Sequence, residues 1–370
     1  MSARFLTVVL ERAFNMRDGF GREIDYMRIS VIDSCNLNCY YCNPQDNNKN
    51  CQAINILSIK KVLCIVRAAT RLGIKHFRLT GGEPLLHPQL DEMVLQIKKI
   101  PGVSSVSLTT NAVLLAQHAK WLKEAGIDSI NVSLDTIDAS EYEHITKKPL
   151  LHKVEHGIDA AIECGIRVKI NVVLTPQTDV VALTRYVAKK GTDIRFIEMM
   201  PVGEGHTNGV EPYKKVIGTL SKLYGEPCRI NTEKTKEINS ENDKRKIPDN
   251  GPAEYYIFPE LGIRVGLIQA IHGKFCDTCN RIRVTADGRL MPCLGSSVTM
   301  DLVPDSWDFA DDVEKDFAIV RALRAAIKAK PRCHNFNDNA VTYTKTTETK
   351  TTEIEAAEVN AARNMSRIGG

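Results

Sequence analysis

Three cysteines, Cys35, Cys39 and Cys42, form a C-x3-C-x2-C run directly after an apolar segment of the chain. When three thiolates hold three irons of a cubane [4Fe–4S] cluster, the fourth iron stays open, and an open metal position is typical of catalytic sites. A structural zinc site needs a fourth ligand instead, which Cys51 or a histidine could supply. The spacing indicates a metal site and leaves both occupants open.

A second group consists of Cys276, Cys279 and Cys293, with a predicted hairpin between the close pair and the third cysteine. A second three-cysteine cluster and a zinc ribbon lacking one ligand both fit this spacing. The odd total of eleven cysteines argues against a complete disulfide framework and favours metal binding. The other cysteines stand singly, and we expect them to be small buried residues: Cys51, Cys64, Cys164, Cys228 and Cys333.

The segment TGGEP follows the second predicted strand of the chain. Gly81 and Gly82 let the main chain come close to a ligand, and Pro84 stiffens the turn. Such a turn is often an ordinary loop. Together with a cysteine triplet after the preceding strand, it indicates a binding site.

Composition and charge exclude several classes of protein. The formal net charge of +4 over 370 residues predicts neither a nucleic-acid footprint nor an acidic tail. No apolar run approaches the roughly 18 residues of a membrane helix, and RFLTVVL near the start is too brief for a signal sequence. We expect a cytoplasmic protein with no nucleic-acid or membrane partner.

Strands and helices alternate from the first triplet to about residue 200. This alternation predicts an α/β fold with a parallel sheet, either a partial (β/α)6 barrel of the TIM type or a doubly wound sheet, and both bind ligands at the carboxyl ends of the strands. We expect the partial barrel, followed by a smaller α+β domain that carries the second triplet. The predicted strands are 27–32, 75–80, 104–110, 129–134, 168–174 and 194–199; hairpins follow at 254–270 and 281–293, and helices are expected at 58–72, 213–225 and 311–329.

The predicted domains follow from these elements. We expect an N-terminal segment, a barrel, a C-terminal domain for the second triplet, a linker rich in Thr and Glu that is disordered, and a short tail ending in Gly369 and Gly370. The boundaries are 1–20, 21–235, 236–336, 337–363 and 364–370.

The first triplet, with the aromatic Tyr41 before its third cysteine and GGEP after the next strand, resembles the radical S-adenosylmethionine enzymes. With the second triplet, the chain is similar to one family of that class, the GTP 3′,8-cyclases of molybdenum cofactor (molybdopterin) biosynthesis. The resemblance implies two [4Fe–4S] clusters. One would bind S-adenosylmethionine and supply a 5′-deoxyadenosyl radical, and the other would hold GTP. The product would be (8S)-3′,8-cyclo-7,8-dihydroguanosine 5′-triphosphate.

The resemblance also assigns residues one by one. A triphosphate needs several cations, and Arg281 and Arg283 alternate with apolar residues, so that a strand would turn both to one face. We expect these two arginines to assist catalysis. The residues that match GTP-binding positions are Arg28, Arg78, Thr109, Lys169, Arg281, Ile282 and Arg283; those that match S-adenosylmethionine positions are Tyr41, Gly82, Ser133 and Met200.

Partners follow from the same resemblance. It implies a one-electron donor such as flavodoxin or ferredoxin, hand-off of the product to cyclic pyranopterin monophosphate synthase, a monomer or homodimer, and a Gly369–Gly370 tail that reaches the active site. A radical enzyme that modifies peptides and a zinc-binding module without catalysis are the alternatives. One departure from the family stands at Ala112 in TTNA, where a left-handed backbone would cost roughly 1 kcal/mol.

Overall fold

A computed structural model describes residues 16–42, 54–202, 210–230, 251–296, 298–302, 312–334 and 336. Cys51, the expected linker at 337–363 and the tail with Gly369 and Gly370 lie outside the described residues. No helix in the described part of the chain has both the length and the apolar character that crossing a membrane requires.

The centre of the fold is a twelve-stranded sheet in which eight neighbouring strands run parallel. All six strands predicted before residue 200 form and pair in chain order, which confirms the α/β partial barrel. Their order across the sheet is β12-β11-β10-β1-β2-β3-β4-β5-β6-β9-β8-β7. The strands are β1 (Tyr26–Ser30), β2 (His76–Thr80), β3 (Ser105–Thr110), β4 (Ser129–Ser133), β5 (Val168–Leu174), β6 (Asp193–Glu198), β7 (Cys228–Arg229), β8 (Glu254–Ile257), β9 (Arg264–Ile268), β10 (Arg281–Val284), β11 (Arg289–Met291) and β12 (Met300–Asp301).

The two predicted hairpins form, and each extends one edge of the barrel sheet. In one, β10 pairs parallel with β1; in the other, β9 pairs parallel with β6. Within each hairpin the strands are antiparallel. The second triplet therefore lies beside the first strand of the barrel, although about 240 residues separate the two triplets in sequence.

Helices cover the outer face of the sheet and bury its apolar side chains. The helix expected at 58–72 forms over Ile59–Arg71, and its residues Val62, Val66 and Ala69 are buried. Side-chain caps fix helix starts, as at Ser58, which accepts a hydrogen bond from the Lys61 amide. The helices are α1 (Ile59–Arg71), α2 (Leu90–Lys98), α3 (Leu115–Glu124), α4 (Ala139–Thr146), α5 (Leu151–Glu163), α6 (Val180–Lys189), α7 (Gly218–Tyr224), which a π-helical turn at Tyr213–Ile217 precedes, and α8 (Asp312–Lys328).

The turn after β3 has the left-handed backbone expected at Ala112, whose φ is 62°. Its amide donates to the Thr110 hydroxyl over 3.0 Å, and its side chain is buried. A Cβ at Gly157 on α5 would come within 2.4 Å of the Ala112 carbonyl oxygen, so the glycine lets this helix pack against the turn.

Candidate active site

One cavity of about 620 Å³ occupies the interior of the barrel and opens at the carboxyl ends of the parallel strands. It also reaches the opposite ends of β3, β4 and β5, where Ser105, Ser129 and Arg167 line it. All six cysteines of the two triplets line this cavity, together with every residue that the resemblance assigns except Ile282.

The first triplet lies in the loop after β1. The Cys42 amide donates to the Cys39 carbonyl over 3.0 Å, and the Leu37 amide donates to the Cys35 sulfur over 3.5 Å. The surrounding protein disfavours the charged thiolate, which raises the pKa of Cys35 to about 11 and raises that of Cys39 as well. These thiols are free, and a bound metal would be needed to ionise them at neutral pH.

The donor set suits an iron–sulfur cluster, whose irons are commonly held by cysteine thiolates. Among the residues that the structure describes, no three Cys, His, Asp or Glu side chains converge as ligands of a single metal ion. The thiols of an iron–sulfur cluster bind separate irons and are therefore spread around the cluster. The six cysteines that line the cavity supply the thiolate ligands such clusters use.

The Gly81–Gly82 turn presses against the chain that leads into the first triplet. The Gly82 amide donates to the Ile32 carbonyl over 2.7 Å, and the Glu83 amide donates to the Ser34 carbonyl over 2.8 Å. A Cβ at Gly82 would lie 2.2 Å from the Ser34 carbonyl oxygen. Only glycine fits here, so the turn holds the cysteine loop at a close distance.

Glu83 joins this turn to the end of β3. Its buried carboxylate accepts hydrogen bonds from the Thr110 hydroxyl and the Asn111 amide, each over 2.7 Å, and from the Leu85 amide over 3.0 Å. Burial raises the pKa of Glu83 to about 7, and the three hydrogen bonds oppose that rise. Its side chain does not line the cavity, so its contribution is to hold two loops together.

Asp135 was not predicted as a site residue, yet it fixes the side chain of Tyr41. The Tyr41 hydroxyl donates to one carboxylate oxygen over 2.5 Å, and the Val173 amide donates to the other over 2.7 Å. Burial raises the pKa of Asp135 to about 6. The available signal was a charged residue immediately after a predicted strand, where ligand-binding residues of parallel sheets gather.

A row of arginines crosses the wall of the cavity. Arg28 on β1 pairs in register with Arg78 on one side and Arg283 on the other. Burial first, and then Arg283, Arg78 and Arg281, lower the pKa of Arg28 well below its usual range. Burial and Arg281 lower the pKa of Arg283 to about 10. Such neighbouring like charges suit a ligand with several negative charges.

Two further predicted residues, Thr109 and Lys169, face the same cavity. The Thr109 hydroxyl accepts a hydrogen bond from Arg78 over 3.4 Å, and Lys169 lies 5.8 Å from the centre of the Tyr255 ring. Ile282 differs from the others. Its side chain is fully buried in the hydrophobic core, since it alternates with Arg281 and Arg283 along β10, so only its main chain is left for a ligand.

The second triplet combines a short turn with the end of β11. The Cys279 amide donates to the Cys276 carbonyl over 3.1 Å, and Cys293 follows two residues after the strand. Burial opposes ionisation of Cys279, but Arg281 and Lys330 outweigh it and lower the pKa of that thiol to about 7. This environment suits a thiolate ligand.

Arg195 on β6 also lines the cavity, although it was not predicted to. Its Nε donates to the Asn171 side chain over 3.0 Å, and it pairs in register with Gly266 on β9. A Cβ at Gly266 would lie 2.8 Å from the Arg195 Cγ and 2.9 Å from the Tyr255 ring. Gly266 thus makes room for both side chains.

We expect Gly266→Ala to displace Arg195 and to weaken binding of inorganic tripolyphosphate by about tenfold, because one charged contact is lost. Overpacking should also lower the free energy of unfolding by about 1–3 kcal/mol. Calorimetric titration and denaturant unfolding measure these changes. Gly218→Ala, with no atom within 4 Å of the added Cβ, is the matched control. Unchanged binding would contradict this role of Gly266.

Comparison with known protein families gives two matches that together cover most of the chain. The Radical SAM superfamily matches residues 29–182, and the family described as Molybdenum Cofactor Synthesis C matches residues 192–336.

Curated relatives resemble the chain over most of its length. The GTP 3′,8-cyclase of Clostridium perfringens (strain SM101 / Type A) is 35% identical over 324 residues, which are 87% of this chain and 95% of the relative. The GTP 3′,8-cyclase of Pelotomaculum thermopropionicum is 36% identical over 86% of this chain and 95% of the relative.

Solved structures share the fold. Streptococcus suis SuiB bound to S-adenosylmethionine has a TM-score of 0.53 at 14% identity, over 77% of this chain. The chain spans 63% of the length of SuiB. Native anSMEcpe with bound AdoMet has a TM-score of 0.50 at 18% identity, over 80% of this chain and 82% of that one. At these identities the likeness concerns the fold alone.

Proposed function

Because this chain belongs to the GTP 3′,8-cyclase family of the radical S-adenosylmethionine superfamily, we propose that it converts GTP to (8S)-3′,8-cyclo-7,8-dihydroguanosine 5′-triphosphate. This lyase reaction begins molybdenum cofactor biosynthesis. One observation carries the proposal: both cysteine triplets and a row of arginines line a single cavity. Such a cavity can hold a cofactor and a triphosphate nucleotide side by side.

The first triplet would hold a [4Fe–4S] cluster, with Cys35, Cys39 and Cys42 as its ligands. With S-adenosylmethionine bound and one electron delivered, such a cluster would supply methionine and a 5′-deoxyadenosyl radical able to take a hydrogen atom from the ribose of GTP. Tyr41, held by Asp135, would define one wall of the cofactor site. The other residues proposed to contact S-adenosylmethionine are Gly82, Ser133 and Met200, which line the same cavity.

The second triplet would hold a second [4Fe–4S] cluster, with Cys276, Cys279 and Cys293 as ligands and the guanine of GTP nearby. Arg281 and Arg283, which stand between the second and third cysteines of this triplet, are the proposed catalytic residues, because they face the cavity where the reacting nucleotide would lie. Their charges would hold the triphosphate, orient the ribose and displace water. The residues proposed to bind GTP beside them are Arg28, Arg78, Thr109 and Lys169, with Ile282 limited to its main chain.

We expect Gly82→Ala to displace the loop of the first triplet, because its Cβ would overlap the Ser34 carbonyl. Iron bound by the first triplet should fall, and cleavage of S-adenosylmethionine should slow by about 100-fold or more. Iron analysis and quantification of 5′-deoxyadenosine measure both effects. Gly218→Ala, whose Cβ meets open space, should leave them unchanged. Normal iron content in Gly82→Ala would refute this role of the turn.

Partners and compartment are part of the same proposal. Cleavage of S-adenosylmethionine requires one electron from a donor such as flavodoxin or ferredoxin, and the product would pass to cyclic pyranopterin monophosphate synthase. The protein would act as a monomer or homodimer. Free thiols and oxygen-sensitive clusters favour a reducing, cytoplasmic compartment.

The decisive test is anaerobic reconstitution with iron and sulfide, reduction, and addition of S-adenosylmethionine with GTP or with buffer. GTP-dependent 5′-deoxyadenosine together with a cyclised guanine nucleotide is the expected result. 5′-Deoxyadenosine without consumption of GTP would reject this substrate and favour a radical enzyme that acts on peptides. A colourless protein that contains zinc and cleaves nothing would reject the enzymatic function.

A further inference from the structure

Arg22 is a buried cation at the second triplet that takes no part in the sites described above. Its Nη1 donates to the carbonyl oxygens of Cys276, over 2.7 Å, and of Arg332, over 2.9 Å. Its Nη2 donates to the Pro331 carbonyl over 2.6 Å, and its Nε donates to the Asp18 carboxylate over 2.5 Å. One guanidinium therefore joins the turn at residues 18–22, the first cysteine of the triplet and the segment after α8.

Lys330 is a second buried cation and holds the other two cysteines in the same way. Its ammonium donates to the Arg281 carbonyl over 2.7 Å and to the Pro292 carbonyl over 2.8 Å. Arg281 stands two residues after Cys279, and Pro292 immediately precedes Cys293. Its side chain is only 2% exposed.

All three cysteine-bearing segments are thus tied to one short stretch of chain, residues 330–332, through two cations. Cys276 and Cys279 lie in or next to a single 3₁₀ turn, and Cys293 lies in a loop beyond a different strand. No ladder of strand hydrogen bonds among the described residues joins these two segments directly at the cysteines. The β10–β11 ladder ends at the Arg283–Met291 pair, four residues from Cys279 and two from Cys293. Beyond it, the contacts of Arg22 and Lys330 hold these segments.

We propose that Arg22 and Lys330 are positioning residues of the second cluster: they set the spacing of its three cysteines and offset its negative charge. The inference rests on the proposed function, because it takes the second triplet to hold a cluster. Buried charges are costly unless they are paired or hydrogen-bonded, and here their hydrogen bonds go to the cysteine-bearing segments. Groups around the ligands of a metal site orient those ligands and tune the metal.

Replacing each cation by methionine separates the positioning of the cysteines from the offset of the cluster's negative charge. Arg22→Met frees the Cys276 segment, so iron should fall from about eight to about four atoms per chain while the first cluster remains. Lys330→Met also removes a positive charge beside Cys279, so whatever second cluster remains should have a more negative midpoint potential. Arg22→Lys keeps the positive charge but loses the planar guanidinium with its several N–H donors. It should retain an amount of iron between those of the wild type and of Arg22→Met.

The experiment compares these full-length variants after anaerobic reconstitution. Its readouts are iron and sulfide per chain, the electron paramagnetic resonance spectrum of the reduced protein, the midpoint potential of each cluster, and cleavage of S-adenosylmethionine as a measure of the first cluster. Arg71→Met, which loses a surface ion pair with Asp316, and Lys123→Met, which loses a bond to the Gly165 carbonyl, are matched controls.

Loss of only the second cluster's iron in Arg22→Met, or a more negative potential in Lys330→Met, with unchanged controls, supports the inference. Full iron, unchanged spectra and unchanged potentials in both variants overturn it. Loss of both clusters in Arg22→Met, with Lys330→Met like wild type, also overturns it, because Arg22 would then support the whole fold. Wild-type protein with only about four irons would instead reject the second cluster of the proposed function.

Discussion

Cys276→Ala is expected to lower the rate of GTP cyclisation by at least about 100-fold while cleavage of S-adenosylmethionine continues. The substitution leaves two thiols where the proposed second cluster needs three, so GTP loses the group that would hold its guanine. The first triplet keeps its ligands and its hydrogen bonds. The measurement is parallel quantification of 5′-deoxyadenosine and cyclised nucleotide.

Two further cysteine variants complete this test. Cys35→Ala removes a ligand of the first triplet and should abolish both products. Cys228, like Cys333, is exposed and not buried as the sequence predicted, so Cys228→Ala removes a surface thiol outside either triplet and should abolish neither product. Cyclisation at the wild-type rate in Cys276→Ala would show that the second triplet does not serve the substrate.

Arg28→Met is expected to weaken GTP binding by about 10- to 100-fold and, at the same time, to raise the Tm of the ligand-free protein. The loss of binding reflects one charged hydrogen-bonding group removed from the triphosphate site. The gain in stability follows from the depressed pKa of Arg28, which burial and the neighbouring Arg283 and Arg78 cause. Calorimetric titration with GTP and thermal unfolding without ligand measure the two changes.

The sign of the stability change follows from linkage. A guanidinium stays protonated at neutral pH, and when its pKa is lower in the folded than in the unfolded state, its charge destabilises the folded state there. Methionine removes that charge. Arg289→Met on β11, an exposed arginine with ion pairs to Asp287 and Asp301, is the control and should change neither value appreciably. A lower Tm with unchanged GTP affinity would identify Arg28 as a purely structural residue.

The sequence predicted the parts of the fold that depend on local pattern. The six barrel strands, both hairpins and the helix at 312–328 follow from apolar period, turn residues and helix signals. The attachment of β10 to β1 and of β9 to β6 could not be predicted this way, because pairing between distant strands depends on tertiary packing. The sequence therefore separated the C-terminal hairpins from a barrel sheet that they extend.

The residues of the candidate site likewise fall into those that the sequence predicted and those that only tertiary packing reveals. Cysteine spacing identified both triplets, and the resemblance to the cyclase family identified Arg28 and Arg78, which stand inside predicted strands. Arg195 went unpredicted although it stands between two apolar residues of a predicted strand, and Lys330 went unpredicted because nothing in its local pattern distinguishes it from a solvated surface cation. In the folded chain they are recognised by their burial and by their hydrogen bonds to carbonyl or amide groups, neither of which can be derived from the sequence.

The pairing of β1 with β10 also constrains the order in which the protein can be completed during synthesis. Tyr26 pairs with Arg281, so one side of β1 remains an unpaired edge until nearly all of the described chain has left the ribosome. The Gly-Gly turn can close on the loop with Cys35, Cys39 and Cys42 once β2 is made, and Asp135 can fix Tyr41 once β4 follows. The contacts around the second triplet need residues 330–332, so the surroundings of the two triplets are completed at widely separated stages of translation.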